Sequence, residues 1–150
     1  FCYPTAVMNE KGKILAIDLG EKRIGLAISD ETRLIAGSHG VMLRKSRRED
    51  FERYARIVEE EAVTLIVLGL PITLSGEEGQ RAAWVRDYSA ELSKNVAVPL
   101  VFWDERFSTK QAEASLHARG KRGKRVQERV DAVAAAFILQ DYLDAHADQD

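Results

Sequence analysis

The chain has 150 residues, 45% hydrophobic and 31% charged, with a net charge of −2. That suffices for one domain with a substantial core, and it excludes a protein whose bulk charge alone would bind nucleic acid, so such a role must rest on a local patch. The single cysteine, Cys2, excludes an internal disulfide and a cysteine-built zinc site. No apolar run reaches the roughly 20 residues of a membrane span and no signal-peptide pattern is present, so the cytoplasm is the expected compartment and no membrane partner is expected.

Residues 1–11 read as an N-terminal extension without a role, 12–144 as one domain and 145–150 as an acidic tail. Three β-type segments open the domain: Lys13–Leu19, Arg23–Asp30 and about Ile35–Arg44. The "GEK" turn between the first two is too short for a crossover, so they pair as an antiparallel hairpin. Ser46 followed by Glu49 has the spacing of a capping box. The helix it announces carries Phe51, Tyr54, Ala55, Val58 and Ala62 on one face.

"TLIVLGLP" reads as a short buried strand ending at Gly69 and Pro71. Ser75 with Glu78 repeats the capping signature ahead of a helix with Trp84, Val85, Tyr88 and Leu92 on one side. "VPLVFWDE" is a further buried strand. Ser108 with Gln111 caps a helix expected to stop at Gly120. The basic loop "GKRGKR" then leads into a final helix over about Val126–Leu143. The order β-β-β-α-β-α-β-α-α predicts a mixed α/β sheet: three antiparallel strands extended by two parallel ones, with helices on both faces. That is a ribonuclease-H-like layout.

Strand alternation puts Ile14, Ala16 and Asp18 on one face, and Gly25, Ala27 and Ser29 form a small-residue face on the partner strand. A carboxylate in a covered strand is costly unless compensated, and small neighbours leave room for a metal ion that would keep it ionised. The plainer reading is an acid that caps the "LGEK" turn. Asp104 and Glu105 end the last strand; extended, they face opposite ways, so only one can look toward Asp18, and the pattern does not choose. Asp131 heads an apolar stripe with Ala134, Ala135, Ile138 and Tyr142, where the plainer role is favourable interaction with the helix dipole. Taken together, three acids brought to one sheet edge would suit Mg²⁺ or Mn²⁺.

"DLGEKRIGLAISD" resembles the D-x-G-x-x-R-x-G opening of the YqgF (RuvX) family. These are ribonuclease-H-fold proteins described as Holliday junction resolvases and as nucleases that process the precursor of 16S ribosomal RNA. The resemblance continues through "GLP" at Gly69–Pro71, "GEEG" at Gly76–Gly79 with Arg81, "DERFST" at Asp104–Thr109 and "VDAVAAAFIL" from Val130. It implies Asp18, Glu105 and Asp131 as catalytic, metal-holding acids, and so favours Glu105 over Asp104. Arg23, Arg106, Ser108 and Thr109 match as well. The expected cofactor is Mg²⁺ or Mn²⁺, and the expected partner is nucleic acid, either ribosomal RNA precursor or branched DNA. Homodimerisation is left open.

Between His117 and Arg129 six Lys and Arg residues stand against the single Glu128. A charge run of this kind is usually a solvated loop. Beside an acid cluster, and with the resemblance, Lys121, Arg122, Lys124 and Arg125 become candidate phosphate contacts, and the resemblance adds Arg23 and Arg106. Arg44, Lys45, Arg47 and Arg48 read as ordinary basic surface, and Trp84 and Trp103 as core rather than base-stacking platforms. Two other classes compete with a nuclease. One is a non-catalytic nucleic-acid-binding factor in ribosome assembly or transcription. The other is an actin-like phosphotransferase, which would need a second domain and phosphate loop.

Overall fold

The computed structural model describes residues 11–105 and 124–147, with side chains over 11–105 and 133–147. Its strands are β1 (Lys13–Leu19), β2 (Arg23–Ser29), β3 (Ala36–Leu43), β4 (Val63–Leu70) and β5 (Leu100–Asp104). The helices are α1 (Arg47–Glu61), α2 (Gln80–Ser93) and α3 (Lys124–Ala145). The sheet order is β3-β2-β1-β4-β5. β1, β2 and β3 pair antiparallel, while β4 and β5 extend the sheet in parallel, as the element order predicts.

The β1–β2 hairpin closes through the Gly20 N–H, which donates to the Arg23 carbonyl at 2.9 Å. A Cβ on Gly20 would lie 2.7 Å from that oxygen, so the turn requires glycine. The resulting register sets Asp18 opposite Gly25 and Ala16 opposite Ala27.

The sheet has a core on each face. On one, Leu15, Ile17, Ile24, Ile66 and Leu68 pack with Phe51 and Tyr54 of α1 and Val85, Tyr88 and Leu92 of α2. On the other, Ile14, Ala16, Ala27 and Val67 meet Ala135, Ile138, Leu139 and Leu143 of α3. Alanines on both partners let α3 approach closely, and each fully buried Ile or Leu contributes about 1.5–3 kcal/mol. No helix among the described residues is long and apolar enough to cross a membrane.

The capping box at Ser46 forms: its hydroxyl accepts from the Glu49 N–H at 3.2 Å and donates to the Glu49 carboxylate at 3.0 Å. The second capping expectation fails. Helix α2 begins at Gln80 with Gly79 as N-cap and no side-chain cap. Thr73 closes a turn instead, its hydroxyl and N–H both engaging Glu77, and Gly76 takes φ +89° inside it. Ser75 is held by the Thr73 hydroxyl at 2.9 Å, and Glu78 pairs with Arg86 at 2.6 and 2.8 Å. A helix cannot start where the backbone is already committed to that turn.

Three boundaries also shift. Ala62 lies past the end of α1 in the left-handed region (φ 55°), where it is the C-cap rather than part of the apolar face. β2 ends one residue early, at Ser29. Helix α3, described over Lys124–Ala145, already includes Lys124 and Arg125, which therefore do not belong to a loop.

A buried polar network joins α1 and α2. Asp50, fully buried, accepts from the Lys45 N–H at 3.0 Å, from Arg53 at 2.5 Å and from the Tyr88 hydroxyl at 3.1 Å. The Tyr88 and Tyr54 hydroxyls are 3.0 Å apart. Burial holds both phenols above their usual range.

Candidate active site

Asp18 sits one residue from the end of β1, beside Gly25 of β2. Glu105 follows β5 directly. Its N–H donates to the Leu70 carbonyl at 3.3 Å, so the extended pairing with β4 continues through it. Alternation then puts Val101, Trp103 and Glu105 on the α3 side of the sheet, the side of Ile14, Ala16 and Asp18. Asp104 alternates to the other side. The structure therefore selects Glu105 as the acid that meets Asp18, and the two side chains share a hydrogen bond.

Gly69 makes room for this meeting. A Cβ at Gly69 would collide with Glu105 Oε2 and lie 2.9 Å from Ile138 Cδ1 of α3. Glu105 Oε2 is buried and, among the described residues, has no hydrogen-bond partner. Burial, first of all, and then the neighbouring Asp18 push the Glu105 carboxyl up to about 8; Arg81 acts in the opposite direction. Two carboxyls, one carrying an orphaned buried oxygen above a glycine-made hollow, fit a hard cation with oxygen ligands.

Arg81, in the first turn of α2, was not singled out among the candidate site residues. Its Nη2 donates to the Leu19 carbonyl at 3.1 Å, next to Asp18 in the chain. One signal in the sequence pointed to it: a cation in the first turn of a helix opposes the macrodipole and needs another reason to be there. Arg23 begins β2 and shares the alternation of Gly25, which places it on the Asp18 face.

Among the described residues, no group of three or more His, Cys, Asp or Glu side chains converges as a metal site. Asp131 lies in the backbone of α3, but its side chain is outside the described residues, as are those of Lys124 and Arg125. Arg106, Lys121 and Arg122 lie outside them entirely, as does the helix expected from Ser108 to Gly120.

Three arginines of the second basic cluster have partners within the chain. Arg44 lies over the Trp84 ring at 4.5 Å and donates to the Glu21 carbonyl at 2.8 Å. Arg47 pairs with Asp87 at 3.0 Å and Glu91 at 2.7 Å, and Arg48 with Glu52 at 3.2 Å. Trp84 packs against the α1–α2 core. Trp103 is edge-on to Tyr142 at 5.5 Å and packs against the core on the α3 face.

RuvC of Thermus thermophilus in complex with a Holliday junction substrate superposes with a TM-score of 0.55 at 17% identity, covering 91% of this chain and 96% of that one. The Fowlpox virus resolvase in complex with Holliday junction DNA gives 0.52 at 13%, covering 89% and 97%. At such identities the likeness shows the fold alone. Sheet order and helix placement thus define an α/β protein of the ribonuclease-H-like class with an acid pair at the ends of β1 and β5. A family model described as RuvX, Holliday junction resolvase, matches residues 12–145, and the chain belongs to that family. A protein of Syntrophomonas wolfei named "Putative pre-16S rRNA nuclease" is 39% identical over 132 residues, covering 88% of this chain and 94% of that one. One of Anaplasma marginale with the same name is 41% identical over 132 residues, covering 88% and 84%.

Proposed function

We propose that the protein is a metal-dependent endonuclease that hydrolyses phosphodiester bonds in structured nucleic acid, processing the 5′ end of the 16S ribosomal RNA precursor. One observation carries this reading: Asp18 and Glu105, distant in sequence, share a hydrogen bond while Glu105 Oε2 stays buried with no partner among the described residues. Two carboxyls held together at a covered sheet edge are unfavourable unless a cation completes them.

In this reading Asp131 is the third ligand and the third catalytic acid. It lies one helical turn before Ala135 and two before Ile138, the residue that reaches Gly69 beneath Glu105. Asp18, Glu105 and Asp131 would hold one or two Mg²⁺ or Mn²⁺ ions. Bound there, such ions supply charge neutralisation and Lewis-acid assistance to attack of water on phosphorus. The three carboxylates orient the site and favour hard divalent cations by their oxygen chemistry. Arg23, Arg106, Lys121, Arg122, Lys124 and Arg125 hold the flanking phosphates, which makes binding salt-dependent.

The names of the relatives favour ribosomal RNA precursor as substrate. The family description supports a second reading, a resolvase acting on four-way DNA. The deciding experiment incubates the protein with Mn²⁺ against a ribosomal precursor fragment and a four-way junction in parallel, beside Asp18→Asn. Cleavage of the RNA, lost in the variant, is the expected result. An undiminished rate in Asp18→Asn overturns the mechanism. Salt-sensitive binding without any cleavage points to a non-catalytic assembly factor.

A further inference from the structure

Arg81 occupies an unusual position. It stands in the first turn of α2, a turn that contains no acidic residue, where the helix dipole disfavours a cation. It is exposed, and one nitrogen is docked on the Leu19 carbonyl at 3.1 Å, which ties the guanidinium to the residue following Asp18. Among the described residues that is its one hydrogen bond, so the remaining N–H donors of a rigid planar fork are open to solvent beside the acid pair.

We propose that Arg81 is a phosphate-positioning residue: anchored on the Leu19 carbonyl, it presents its outer N–H groups to a phosphate oxygen of the strand lying across Asp18 and Glu105. This deepens the nuclease reading and rests on it. A site of converging acids repels a polyanion, and bound cations offset that only at the ions themselves. A fixed guanidinium beside the acids supplies the missing attraction and matches phosphate geometry with two donors. Docking on a main-chain carbonyl restricts its rotamers before substrate arrives, so less order is lost on binding. Arg81 acts on the substrate's placement and has no part in holding metal.

That division of labour makes the test one of opposite signs. Nucleic-acid affinity is measured by fluorescence anisotropy in Ca²⁺ on a precursor ribosomal RNA fragment. The series covers salt from about 50 to about 300 mM, for the wild type, Arg81→Ala and Arg81→Lys. Mn²⁺ affinity is measured separately by calorimetry without nucleic acid. Arg81→Ala is expected to weaken RNA binding by about tenfold to a hundredfold and to flatten the log–log salt slope by about one. Mn²⁺ binding stays equal or tightens, because a nearby positive charge has gone. Arg81→Lys restores the slope while affinity stays intermediate, since an ammonium keeps the charge and loses the fork.

Weaker Mn²⁺ binding with an unchanged salt slope in Arg81→Ala would instead make Arg81 a brace for the end of β1 and overturn the proposal. So would no change in either quantity. The two levels fail separately. A wild type that binds but never cleaves removes the nuclease reading, while the slope comparison still decides the role of Arg81. A wild type that cleaves beside an Arg81→Ala variant of unchanged slope removes the role of Arg81 alone.

Discussion

The Glu105 carboxylate lies over the bare Cα of Gly69, in space that any other residue's Cβ would claim. The side chain that follows β5 thereby crosses β4 and reaches Asp18 of β1, two strands away in the sheet. The small residue is what allows acids from separate strands to meet.

Gly69→Ala therefore tests the meeting directly. The added methyl group must displace Glu105 or Ile138, and overpacking of this kind costs about 1–3 kcal/mol. The expected outcome is a folded protein with modestly lower stability in chemical denaturation and a cleavage rate reduced by about a hundredfold or more, as for a misplaced catalytic group. Wild-type activity in Gly69→Ala would mean that Glu105 need not occupy this hollow.

Glu105 also predicts an unusual pH dependence of stability in the metal-free protein. Its carboxyl is raised from an ordinary value of 4.5 to about 8, so between those values the folded state binds more protons than the unfolded state. Stability then falls as pH rises through that window and levels off above it. Thermal melts in EDTA should show this decline, and Mn²⁺ should reverse it most strongly near pH 8. Glu105→Gln should flatten the profile and melt a few degrees above the wild type at that pH. A flat wild-type profile would count against burial of the Glu105 carboxyl beside Asp18.

On the opposite face, Asp50 carries stability and not chemistry. Asp50→Ala takes the buried acceptor from the Lys45 N–H and the Tyr88 hydroxyl, a loss of about 1–3 kcal/mol, while Arg53 keeps the Leu43 carbonyl. Tyr88→Phe removes one hydroxyl from the same network and should cost about 1–2 kcal/mol. Denaturant melts give both values, and the cleavage rate per folded molecule of Tyr88→Phe should match the wild type.

The two basic stretches should behave oppositely. Arg47 and Arg48 are already paired with Asp87, Glu91 and Glu52. Arg48→Ala should change RNA affinity by less than about twofold, and Arg47→Ala should cost at most about 1 kcal/mol of stability. Lys121→Ala with Arg122→Ala should instead lower the salt slope of RNA binding by about one to two. Equal effects at both stretches would refute the assignment of the 121–125 residues to phosphate.

Much of this architecture was legible in residue order. Apolar alternation and helical spacing are local, so the five strands, the α1 capping box and the two faces of the sheet followed from them. Ser75 with Glu78 shows where local pattern failed: the same four-residue spacing fits a cap, but Thr73 and Gly76 had already turned the chain. The Arg44–Arg48 run shows the opposite outcome, because the plain reading of a basic surface agrees with its internal ion pairs.

What the sequence determined alone was the set of elements, their order and the chemical character of each face, since these depend on neighbours a few positions away. It offered Asp18, Glu105 and Asp131 as candidate acids, and strand alternation alone left adjacent Asp104 and Glu105 equivalent; the resemblance favoured Glu105, and the pairing of β5 with β4 put each on its own face. Only the tertiary structure brought Glu105 across Gly69 to Asp18 and set Arg81 on the Leu19 carbonyl. Those contacts join segments tens of residues apart, and the period of a strand or helix holds no information about which distant segment will lie beside it.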